Sequence, residues 1–248
     1  MEIKLKENER IDDLQYKNLK IIQNKDGFCF SMDSILLVEF AKNIKRNTTV
    51  IDLGTGTGII SILLSKKVEL KKIIGIDILE DVCDMAKRSI SLNKLEDKIK
   101  IINEDVKNMG KIFESSSFDV VISNPPYKKI NSGLTNSNKN KLISRHEITA
   151  NLEDFIKIAS YLLKSNGEIY IVHRPERLVD IFNLLRKYHI EPKDMQMVYP
   201  QKSKEPNLIL IKGVKNAKPF LKIRKPLFIY NERGEYTEDI IRIYKEDI

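Results

Sequence analysis

Apolar positions along the chain follow two alternating periods. Short β-branched runs at Thr49 to Leu53, Lys72 to Asp77, Lys98 to Asn103, Phe118 to Ser123, Glu168 to His173, Asp194 to Tyr199 and Leu208 to Val214 read as seven strands. Stretches of helical period fall between them, at Gly58 to Lys66, Glu80 to Asn93, Leu152 to Lys164 and Pro175 to Tyr188. In the second of these, Val82, Met85, Ala86 and Ile90 recur at three- and four-residue steps and give one apolar face. Alternation of this kind predicts βα units around a largely parallel sheet, an α/β fold. No helix fits between the last two strands, so they are expected to pair antiparallel, as a hairpin on the edge of the sheet. Asn151 has the character of an N-cap, and Gly167 stands where a helix ending at Lys164 needs a left-handed residue.

Ahead of the first sheet strand, Leu19 to Gln23 and Phe28 to Ser31 flank Asn24-Lys25-Asp26-Gly27, which reads as a hairpin followed by a helix from Asp33. Beyond the last strand, Pro226 to Tyr230 and Thr237 to Tyr244 read as a strand and a docking helix. The expected organisation is one domain: an extension over 1–47, a core over 48–214 and an appendage over 215–248. The stretch from Lys128 to Thr149 has no sustained period, and a loop of that length is uncommon unless it serves function or is disordered.

Composition changes the picture in two ways. The amino terminus mixes charges with single apolar residues and no stretch approaches a membrane span, so a cytoplasmic, non-membrane protein is expected. Cys29, Cys83 and the three histidines lack metal-ligand spacing, so a metal-free protein is expected, with the cysteines as small buried hydrophobes; separately, a monomer is expected. The net charge of +8 is unevenly spread. Residues 128–145 carry five basic side chains and no acidic one; residues 201–225 carry eight basic side chains, Lys202 and Lys204 among them, against Glu205 alone. Two such tracts around one site point to a polyanionic partner.

Chemistry concentrates where strands end. Val50-Ile51-Asp52-Leu53-Gly54-Thr55-Gly56-Thr57-Gly58 is a strand that breaks into three glycines and opens a helix, a turn over which a ligand can lie against bare backbone. The glycine at 58 and Ile59 depart from the dinucleotide spacing, and no Gly-Lys-Ser/Thr follows, which disfavours both NAD and a P-loop. Asp77 closes the next strand, where a carboxylate can accept both hydroxyls of a ribose, with Ile78 beside it. Asp105 and Val106 close the third, placed to meet an adenine amine.

The fourth strand runs into Asn124-Pro125-Pro126-Tyr127. An amine conjugated to a ring is a poor nucleophile, so it must be polarised. The Asn124 side-chain oxygen and the Pro125 carbonyl can each accept one N–H, Pro126 stiffens the turn, and Tyr127 offers a face for stacking a base.

With these motifs the chain resembles the class I S-adenosylmethionine-dependent methyltransferases that modify planar nitrogens, a Rossmann-like fold. More narrowly, Gly27-Phe28-Cys29-Phe30-Ser31-Met32-Asp33, Arg145-His146-Glu147 and His173-Arg174-Pro175-Glu176-Arg177-Leu178 are similar to the bacterial tRNA1(Val) adenine-37 N6-methyltransferases. The resemblance implies S-adenosyl-L-methionine as cofactor, S-adenosyl-L-homocysteine as product and tRNA as partner. It implies a catalytic turn at Asn124, Pro125, Pro126 and Tyr127. Phe30, Ser31, Asp33, Asp52, Gly54, Thr55, Gly56, Gly58, Asp77, Ile78, Asp105, Val106 and Asn124 would then line the cofactor site. Tyr127, Lys128, Arg145, His146, Lys202 and Lys204 would meet substrate. Two other readings share parts of the pattern: methylation of a protein glutamine amide, which presents the same flat NH2, and an RNA-binding module without turnover.

Overall fold

The computed structural model describes residues 4–25, 32–127 and 150–245. In chain order the elements are β1 (Glu9–Asp13), β2 (Lys20–Asn24), α1 (Met32–Phe40), β3 (Thr49–Leu53), α2 (Ile59–Lys67), β4 (Lys72–Asp77), α3 (Glu80–Leu92) and β5 (Ile99–Asn103). They continue as α4 (Met109–Ile112), β6 (Phe118–Ser123), α5 (Leu152–Leu162), β7 (Leu163–His173), α6 (Leu178–Lys187), β8 (Ile190–Tyr199), β9 (Leu208–Lys215), β10 (Lys222–Ile223), β11 (Leu227–Phe228) and α7 (Glu238–Lys245).

The main sheet runs β10-β8-β9-β7-β6-β3-β4-β5, with β11 also on β8. All seven expected strands are in it. The pairs from β7 to β5 are parallel, and β9 lies antiparallel between β7 and β8. Parallel strands covered on both faces must be apolar almost throughout, which is why the runs Val50, Ile51 and Val120, Val121, Ile122 read so clearly. One core, with Leu36, Ile62, Ala86 and Tyr170, lies under α1, α2 and α3; the other, with Ile51, Val121, Ile156 and Leu185, lies under α5 and α6. The result is three layers. No helix among the described residues is long and apolar enough to cross a membrane.

Several local expectations change. The Leu19 to Gln23 run does form a strand, but its partner is β1, in antiparallel register with Ile11 opposite Ile22. Its backbone also meets α3, because Ser89 Oγ accepts the Ile22 N–H at 2.9 Å and Asn93 both accepts the Lys20 N–H at 2.9 Å and donates to the Lys20 carbonyl at 2.6 Å. The partner first expected, Phe28 to Ser31, lies outside the described residues. Arg88 fixes β1 by a two-pronged contact with Glu9, at 2.7 and 2.6 Å.

Helix α5 starts at a capping box, Asn151 Oδ1 accepting from Glu153 and Asp154 while Asp154 accepts from Asn151. It ends two residues earlier than expected, and the left-handed residue that follows is Asn166, φ 62°, within β7, not Gly167. Gly167 has another reason to be small: a Cβ there would stand 2.9 Å from the Lys164 carbonyl and 3.1 Å from that of Asp119. The helix after His173 begins as a 3-10 turn over Pro175–Arg177, and α4 was not anticipated at all. The β8–β9 hairpin does not leave a bare edge, since β10 and β11 both run along β8.

Gly75, in the middle of β4, joins the sheet to the site. An added Cβ would sit 2.6 Å from Ile101 Cδ1 and 2.8 Å from Thr55 Oγ1. Gly75→Ala is expected to cost about 1–3 kcal/mol of stability through overpacking. Urea unfolding of the variant measures this, and a midpoint equal to wild type would refute the tight packing.

Candidate active site at the carboxyl ends of the strands

Because β3, β4, β5, β6 and β7 run parallel, their carboxyl ends open onto one mouth, the place where ligands bind in sheets of this type. The glycine turn follows β3. Gly54, Gly56 and Gly58 have φ of 75°, 57° and 88°, a run of left-handed conformations that side-chain-bearing residues avoid. A Cβ on Gly54 would touch Phe155, whereas one on Gly56 would meet nothing within 4 Å among the described residues. The backbone at Gly56 is therefore an open cradle.

Asp52 supports the turn from below. It is fully buried, and Oδ2 accepts the Thr55 hydroxyl at 2.7 Å and the Ser61 hydroxyl at 2.9 Å. Oδ1 has no hydrogen-bond partner among the described residues, and burial pushes the carboxyl up to about 6. These contacts make Asp52 a brace for the loop. Asp77 is buried too, at 1% exposure. Its oxygens accept the Gly56 N–H at 2.9 Å and the Leu79 N–H at 3.0 Å, tying the end of β4 to the glycine turn. Asp105 caps a short 3-10 turn by accepting the Lys107 N–H at 2.9 Å. Val106 beside it is buried, and Ile78 is half-buried.

At the end of β6, Ser123 donates to the Leu53 carbonyl at 2.7 Å, which locks the tip of β6 to β3. Asn124 follows, half-buried, with Nδ2 3.4 Å from Ser34 Oγ and Oδ1 accepting the Tyr127 hydroxyl at 2.8 Å. The same hydroxyl lies 2.7 Å from Asp33 Oδ2. Burial, reinforced by the Asp33 charge, drives the Tyr127 phenol far above its ordinary value, so it remains a donor. Tyr127 is not an open platform here: its ring stands 5.0 Å from the His173 ring, with the Arg174 guanidinium 5.1 Å from its centre.

The structure thus brings Asp33, Asn124, Pro125, Pro126 and Tyr127 together, and Asp52, Gly54, Thr55, Gly56, Gly58 and Asp77 around the glycine turn. It ties Asp33 to the Asn-Pro-Pro-Tyr turn. Phe30, Ser31, Lys128, Arg145 and His146 lie outside the described residues. Lys202 and Lys204 are exposed in the β8–β9 turn, on the same side as the mouth because β8 runs parallel to β7. The rest of that basic tract divides. Lys212 pairs with Glu168, Lys215 donates to the Ser160 and Leu163 carbonyls, and Arg224 pairs with Asp194. Lys218, past the end of β9, stands at the opposite end of the sheet. Ser34 and Ser61 escaped sequence reading; only the polar cluster Ser31-Met32-Asp33-Ser34 at a helix start hinted at the first.

Two buried groups titrate in opposite senses. Asp52 keeps its proton to about pH 6 in the fold against 3.8 for the free group, so the stability it contributes is lost as pH rises through that window. Burial, then the Arg177 charge, lowers His173 from 6.5 to about 4, so its contribution is lost as pH falls through that window. Asp52→Asn removes the first trend. Its stability should climb more steeply than wild type from pH 4 to 6.5 and exceed it at pH 7.5 by about 1–3 kcal/mol. Urea titrations across this range test the sign, and parallel curves would contradict it.

The family model described as a methyltransferase domain matches residues 44–221. The tRNA1(Val) (adenine(37)-N6)-methyltransferase of Porphyromonas gingivalis is 26% identical over 242 residues, covering 94% of this chain and 93% of that one. The protein of the same description from Parabacteroides distasonis is 26% identical over 233 residues, covering 94% and 95%. Among solved structures, a predicted O-methyltransferase from Agrobacterium tumefaciens superposes with a TM-score of 0.67 at 18% identity, over 86% of this chain and 95% of that one. The M. jannaschii tRNA m1G37 methyltransferase gives 0.59 at 20% identity, over 85% and 58%.

Proposed function

Since this chain belongs to the methyltransferase-domain family, we propose that it methylates the exocyclic N6 of an adenine in tRNA, adenine 37 of a valine tRNA, in the cytoplasm. The observation that carries the reading is the Asn124-Pro125-Pro126-Tyr127 turn at the tip of β6, locked to β3 beside the glycine turn.

The residues fit S-adenosyl-L-methionine. The open backbone at Gly56 admits a ligand that a Cβ would obstruct, and an aspartate closes β4 while another stands two residues past β5. Asp77 would hold the ribose hydroxyls, Asp105 the adenine amine, and Ile78 and Val106 the faces of that ring. Bound there, the cofactor supplies a methyl group on a positively charged sulfur. Asn124 Oδ1 and the Pro125 carbonyl accept the two N–H bonds of the target amine and stabilise the positive charge that grows on nitrogen. The Tyr127 hydroxyl bonds that same Asn124 oxygen, so the amine would take over a position that already serves as an acceptor site. Alignment supplies most of the acceleration, on the order of 7–11 kcal/mol for well-oriented reactants.

Asn124→Ala should lower methyl transfer by about 10²–10³-fold while leaving cofactor affinity nearly unchanged. Incubation with labelled cofactor and unfractionated tRNA, followed by nucleoside mass spectrometry, reads the product. Label on protein glutamine in place of N6-methyladenosine would sink the assignment.

Charge at the mouth gives a second test. Lys202→Ala with Lys204→Ala should weaken tRNA binding and flatten its salt dependence by about 1.5–2 logarithmic units per decade. Lys218→Ala, at the far end of the sheet, should leave both alone. An equal effect from Lys218 would remove the reason for placing RNA at the mouth.

A further inference from the structure

His173 closes β7 and is fully buried. Its Nδ1 accepts the Arg174 backbone N–H at 2.8 Å, and burial keeps the ring neutral at physiological pH. The proton of the neutral ring therefore sits on Nε2. That Nε2 has no hydrogen-bond partner among the described residues. A buried donor left unpaired is costly, and such groups are few in folded proteins.

Its position says what it serves. Ser123 of β6 pairs with Ile171 of β7, so Pro125 and His173 both stand two residues beyond the same rung, at the same mouth. The His173 ring is 5.0 Å from that of Tyr127, whose hydroxyl in turn bonds the Asn124 oxygen. Asn124 and the Pro125 carbonyl present acceptors to an amine. A base bearing that amine also carries, on the ring atoms flanking it, nitrogens that can only accept. A donor next to two acceptors matches this edge of adenine, whereas guanine would set its carbonyl oxygen against the acceptors.

We propose that His173 is a specificity-determining residue: its Nε2–H donates a hydrogen bond to the ring nitrogen flanking the methylated amine, N1 or N7 of the target adenine. The inference rests on the adenine reading given above. It assigns to His173 recognition of the base, separate from polarisation of the amine by Asn124.

The test uses the full chain and anticodon stem-loop RNAs carrying adenosine, 1-deaza-adenosine or 7-deaza-adenosine at the target position. Wild type should lose about tenfold to a hundredfold in kcat/KM with one of the two analogues. His173→Leu, which keeps apolar volume and removes the donor, should lose a similar factor on adenosine and show no further loss on that analogue. His173→Gln, whose amide can reach the position of Nε2, should recover most of the activity. Cofactor affinity should stay within about twofold of wild type in both variants. A His173→Leu enzyme that still discriminates against the analogue, or one that loses cofactor affinity in proportion to activity, would overturn the inference alone. If wild type forms no N6-methyladenosine on adenosine RNA, the functional reading falls and this inference falls with it.

Discussion

A carboxylate withheld from water sets the shape of the whole mouth. Asp52 spends one oxygen on the hydroxyls of Thr55, inside the glycine turn, and Ser61, beyond it, and so joins the end of β3 to the first turn of α2. Asp77 performs the matching task from β4 through the Gly56 amide. With these two acids in place the three left-handed glycines have one conformation to adopt. The Gly56 backbone is set by the fold itself, so its ordering cost is met during folding.

The second half of the site is assembled across a much longer span of chain. Asp33 and Tyr127, 94 positions apart, meet through the phenol, and Ser34 meets Asn124 across 90. Helix α1, which packs in the core shared with α2 and α3, thereby reaches the turn after β6. The Asn124 amide is held at its oxygen by Tyr127 and at its nitrogen by Ser34, in the manner of a preorganised polar site. His173 and Arg174 enclose the same ring from β7.

What could be read from the sequence follows from these two modes of assembly. The parallel core and the glycine turn are local. Their strands are buried on both faces and their conformational demands fall on single residues, so the β-branched runs and Gly54, Gly56 and Gly58 declare themselves. The site residues at strand ends follow from topology alone, since every parallel strand delivers its carboxyl end to one side. β1 was illegible because Glu-Arg-Ile-Asp-Asp serves ion pairs with α3, not a core. Asn166 was misread because asparagine tolerates the left-handed region nearly as well as the glycine next to it. The closed posture of Tyr127 depends on Asp33, Asn124, His173 and Arg174 together, and no periodicity links positions so far apart. The basic tract misled in part: a lysine count cannot tell Lys202, exposed at the mouth, from Lys215, whose ammonium is absorbed by two backbone carbonyls.

The border of the sheet at β8 carries one more implication. β10 and β11 contribute two residues each, with Pro226 between them and Arg224 folded back onto Asp194. A rim broken this way gives a neighbouring polypeptide no continuous row of amides to zip onto, while β8 itself is already paired on both sides. The protein can therefore hold a highly β-branched interior at the crowded concentrations of a living cell without that border seeding stacked, fibril-like assemblies.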